Sequence, residues 1–145
     1  MKKEEMTIVD LLLEAVGIVS IAAYCGLQIY YGILYAESNA MVQIIMNLLA
    51  FVLVYLGLTL MQFYPERVNH LTKEACTGMI RRYTIVMARM EKLIFAVSLL
   101  FTSICDVLGI KLHQGGWVVG ILMLVVVIYY ETKIIRLIKE KYDKK

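Results

Sequence analysis

Residues 7–35, TIVDLLLEAVGIVSIAAYCGLQIYYGILY, are enough to cross a bilayer as one helix, which takes about 20 residues, yet they are not uniformly apolar. At about 100° per residue, Asp10, Glu14, Gly17, Ile21, Tyr24, Gln28, Tyr31 and Tyr35 share one face. Leu12, Val16, Val19, Ala23, Leu27, Tyr30 and Leu34 share the opposite one. Lipid cannot satisfy a polar stripe, because unpaired polar groups in hydrocarbon are strongly penalised. The stripe must therefore meet partners, from this chain or from another copy.

Three further apolar segments follow, so spans are drawn at 8–34, 41–63, 93–110 and 117–135. The chain is 61% hydrophobic against 19% charged, with a mean hydropathy of +0.73. At 145 residues it has too little interior to hide so many Leu, Ile, Val and Met side chains from water. The expected fold is all-α: a bundle of four transmembrane helices forming a single membrane domain over residues 1–145. Its orientation follows from charge. Fourteen of the fifteen Lys and Arg residues lie before the first span, between the second and third, or at the end of the fourth and beyond it; only Lys111 lies elsewhere. Cytoplasmic segments are the basic ones. Both termini, the loop 64–92 and the tail 136–145 are thus expected on the cytoplasmic side of the plasma membrane. The opening MKKEEM mixes charges and no A-x-A-like cleavage site follows, so the first segment reads as a retained span.

Local signals refine this outline. Thr7 and Asp10 match an [ST]-x-x-[DE] helix start. Pro65 ends the second helix, and Gly78 breaks the cytoplasmic segment into a short helix over 67–76 and a long one over 79–110. The third helix thereby extends into the cytoplasm. The apolar positions Ile134, Ile135, Leu137 and Ile138 predict that the fourth helix also continues inward. Gly116 and Gly120 form a short GxxxG at the start of that helix.

Polar residues inside the spans are the candidate functional groups. Glu14 lies near the inner boundary; Tyr24, Gln28, Gln43, Asn47, Ser98 and Thr102 lie deeper; Asp106 lies toward the outside. They are read as an ion or proton path, or as hydrogen-bonded helix contacts, with Gln43 and Asn47 facing Gln28 and Tyr31. Arg81, Arg82 and Arg89 in the basic loop are read as a docking surface for lipid or a partner. No catalytic motif, phosphate loop or metal-ligand pattern stands in the chain. His70 and Glu74 match no strong ligand spacing. Cys25 and Cys105 both fall in the outer half, where a pair is geometrically feasible; the cysteines are read as structural. Basic residues without interleaved aromatic platforms argue against nucleic acid.

The expected function is non-enzymatic and cofactor-free: a membrane component acting through a membrane-protein partner or as a homo-oligomer. The alternative is a small oligomeric channel, pore-former or ion-coupled transporter using Glu14 and Asp106.

Overall fold

A computed structural model describes residues 7–34, 38–76, 78–110 and 115–142, without the side chains of 38–40, 43, 115–116 and 142. Among the described residues the chain is all-helical: α1 (Ile8–Leu34), α2 (Ser38–Phe63), α3 (Pro65–Val68), α4 (Gly78–Val107) and α5 (Gly115–Tyr142). Segments Ile8–Leu34, Ile44–Phe63 and Trp117–Lys141 are long and apolar enough to cross a membrane. These three mark a membrane protein. At 30 residues α4 spans roughly 45 Å, but Arg81, Arg82, Arg89, Glu91 and Lys92 interrupt its apolar character.

The helix start read at Thr7 is built as expected. Thr7 N–H and its hydroxyl donate to Asp10 Oδ2 at 2.9 and 2.7 Å, and Asp10 N–H donates to Thr7 Oγ1 at 3.3 Å. This reciprocal box satisfies donors that a helix start leaves open. Gly78 opens α4 with φ +58°, as the predicted break requires.

The helix read over 67–76 is not there. Instead α3 stops at Val68, and residues 69–76 run as turns and irregular chain. The cause is a Schellman stop centred on His70, which takes φ 51°. Leu71 N–H donates to Glu66 O at 2.9 Å and His70 N–H to Arg67 O at 3.3 Å. Glycine is the usual residue at that position, so a histidine gave no composition signal. Gly109 (φ 70°) ends α4 by the same pair of bonds, to Cys105 O and Asp106 O.

Helix α4 is the axis of the molecule: α1, α2 and α5 each pack on it, while α1 and α2 touch only lightly. Its neighbours fix the directions. Glu14 meets Lys92 and Gln28 meets Ser103, so α1 runs parallel to α4. Phe51 stacks on Phe95 and Lys92 lies over Tyr55, so α2 runs antiparallel. Ile134 packs with Ile80 and Tyr130 meets Tyr83, so α5 is antiparallel too. Small buried residues line the contact: Ser20 on α1, and Thr84, Ala88 and Ala96 on α4.

At the basic end, Cys76, Ile80 and Ile134 form a small core backed by Leu71, Tyr83, Leu137 and Ile138. Lys141 Nζ donates to Ala75 O at 2.9 Å, tying the end of α5 to the segment before α4. Asn69 donates to Pro65 O and to the hydroxyl of Thr84, which is fully buried. The predicted continuation of the last helix is thus the wall of a folded cap.

Candidate functional site

The polar face of α1 turns inward onto α4. Asp10, Gly17, Ser20 and Tyr24 are buried, whereas Leu12, Val16, Val19, Ala23, Tyr30 and Leu34 are exposed. Its partners are charged. Arg89 Nη1 lies 3.3 Å from Asp10 Oδ1, and Arg89 Nε lies 3.6 Å from Glu14 Oε2. Lys92 Nζ donates to Glu14 Oε1 at 2.9 Å and sits 4.8 Å above the Tyr55 ring. The Arg89 side chain is 3% exposed, Lys92 7% and Asp10 8%. Two carboxylates and two cations cancel, so this cluster can be buried where a lone charge could not. Glu91 is buried beside it in sequence, and its Oε1 finds no hydrogen-bond partner.

This placement corrects the reading of Arg89. It is not a docking residue on an open surface but the centre of an internal ion cluster. The three arginines in fact divide: Arg81 lies 3.8 Å from Glu66, Arg82 is exposed, and Arg89 is buried. Lys92, assigned to the loop by hydropathy, is packed inside the bundle as well.

Toward the far end of the bundle the remaining polar residues converge. A groove of about 370 Å³ runs between α1, α2 and α4. Tyr24 and Gln28 line it from α1, Asn47 from α2, and Thr102, Ser103 and Asp106 from α4; Phe51 and Phe95 are among its apolar wall. Gln28 Nε2 donates to Ser103 Oγ at 3.3 Å. Gln28, read as facing α2, thus bonds to α4 instead, through Ser103. Thr102 donates its hydroxyl to Ser98 O and Ser98 to Phe95 O, both within their own helix. The Gln43 side chain lies outside the described residues. Asn47, Thr102 and Asp106 are exposed along the groove.

Between cluster and groove stands an aromatic layer. Tyr24 and Phe51 have ring centroids 5.3 Å apart, Phe51 and Phe95 6.0 Å, and Phe51 and Tyr55 5.7 Å. Lys92, which holds Glu14, and Asp106 are separated by roughly 21 Å along α4. Glu14 and Asp106 therefore belong to two compartments. Cys25, Cys76 and Cys105 are all free thiols.

No protein-family model, curated protein or solved structure matches the chain.

Proposed function

We propose that this chain is a non-enzymatic four-span membrane protein that works by binding another membrane helix, from a partner or a second copy, along the α2–α4 side of the groove. In this reading α4 is the third span, and its charges cross the bilayer because α1 neutralises them internally. Both termini and the folded cap face the cytoplasm, as the basic residues indicate.

The observation that carries the proposal is the outward exposure of Asn47, Thr102 and Asp106 beside an otherwise apolar surface. Their neighbours Met46, Leu49, Leu53 and Phe101 are exposed apolar side chains suited to lipid. An amide and a carboxylate are not, and a polar helix laid in the groove satisfies them. A photo-cross-linking residue at Asn47 or Thr102 should capture a membrane protein, whereas one at Ile121, on the exposed apolar side of α5, should capture only lipid. Equal yields of protein adduct at the three positions would sink the reading.

Asp106, exposed and without an ion-pair partner among the described residues, favours a second reading: cation passage through an assembly of copies. The aromatic layer and the neutralised Glu14 weigh against a relay within one copy. Cation flux into liposomes that Asp106→Asn abolishes would establish this second reading instead.

A further inference from the structure

A second cleft, of about 320 Å³, opens at the basic end between the start of α1 and the first turns of α4. Arg82, Ile85, Val86 and Arg89 follow one another at helical spacing along its floor, and Thr7 and Met79 flank it. From Arg82 to Arg89 the strip is roughly 10 Å long. The two arginines differ in what they have left to bind. Arg89 is spent on Asp10 and Glu14, although its buried Nε lacks a hydrogen bond. Arg82 is exposed at the mouth and enters no ion pair among the described residues. Asp10, the nearby carboxylate, is paired with Arg89 and bonded to Thr7, and it attracts Arg82 only from beyond ion-pair distance.

The level of the mouth is marked by its neighbours. Tyr83, next in sequence, meets Tyr130, which in turn contacts Tyr129. Paired tyrosines at the end of apolar helices mark the lipid headgroup zone. A cation there, with the apolar Ile85 and Val86 one turn deeper, matches a molecule with an anionic head and a hydrocarbon body.

We propose that this cleft binds one anionic phospholipid, its phosphate on the Arg82 guanidinium and its acyl region along Ile85 and Val86. The proposal rests on the membrane reading above, but not on the groove partner. A planar guanidinium suits a phosphate by paired N–H donors, and a basic pocket between membrane helices on the cytoplasmic side is a recurrent place for such a headgroup.

The test uses the full chain in mild detergent, titrated with phosphatidylglycerol or phosphatidylcholine and read by native mass spectrometry. Phosphatidylglycerol should be retained in preference, and Arg82→Gln should weaken that preference about fivefold, the effect of one interfacial cation. Arg67→Gln, at an exposed arginine stacked on Tyr64, should leave it unchanged. Equal retention of the two lipids, or an Arg82→Gln variant that behaves as the parent, would overturn the proposal. Displacement by millimolar inorganic phosphate would overturn it too, by showing a site for free anions. A chain that stays monomeric without detergent would instead remove the membrane reading itself.

Discussion

Arg89→Leu should lower the stability of the detergent-solubilised protein by about 3–5 kcal/mol, the usual consequence of removing one partner from a buried ion pair. The guanidinium is 3% exposed and bridges two carboxylates on α1. Without it, Glu14 keeps Lys92, but Asp10 loses its ion pair and its negative charge stays buried between α1 and α4. The informative variant is therefore the double one. Asp10→Asn together with Arg89→Leu leaves Glu14 paired with Lys92 at 2.9 Å and restores neutrality. Thermal unfolding should show the double variant to be more stable than the sum of the two single losses requires, by roughly 1–3 kcal/mol of coupling. Strict additivity would mean that the four groups do not act as a neutral set. A lone surface ion pair would give a far smaller effect, typically below about 1 kcal/mol.

Ile134→Ala should loosen the cap. Ile134 is 1% exposed, against Cys76 and Ile80, and Ile→Ala in a core costs about 2–5 kcal/mol. The readout is local. Cys76 is 2% exposed, and burial pushes its thiol above the ordinary range, outweighing the opposing pull of Arg81. Both effects make it slow toward maleimide. With Cys25 and Cys105 replaced by alanine, Ile134→Ala should speed Cys76 labelling by roughly tenfold or more, since each 1.4 kcal/mol multiplies the open population tenfold. The raised thiol also gives a pH direction. Its contribution to cap stability is complete below the unfolded thiol pKa, about 8.5, and is lost as pH rises above it. Labelling that Ile134→Ala leaves unchanged would show that α5 does not cover Cys76.

Much of α1 was legible because a helix repeats its faces regularly. Asp10, Glu14, Gly17, Tyr24 and Gln28 were placed on one side by spacing alone, and that side does face α4. The Thr7–Asp10 start and the Gly78 break were legible for the same local reason: each is settled within a few residues. Arg89 and Lys92 were not. Hydropathy treats a cation as a mark of water, and their carboxylate partners lie 79 and 78 residues earlier. Only the packing of α1 on α4 brings them together. Seeing two acids one turn apart on α1, and two cations three residues apart on α4, would have been the available clue. Ser103 was passed over because a serine is common in any helix, and its bond to Gln28 depends on the register between helices. The stop at His70 escaped because its left-handed backbone is imposed by the Schellman bonds rather than advertised by a glycine.

The point on which membrane orientation, groove and lipid cleft all depend is that α4, charged as it is, passes through the bilayer. Impermeant maleimide on intact cells tests it directly, in a background with Cys25, Cys76 and Cys105 replaced by alanine and one cysteine introduced at a time. A four-span bundle with its cap inside requires Gln114→Cys to label from the outside and Lys73→Cys to label only after lysis. Labelling of both positions from the same side would mean that α4 does not cross.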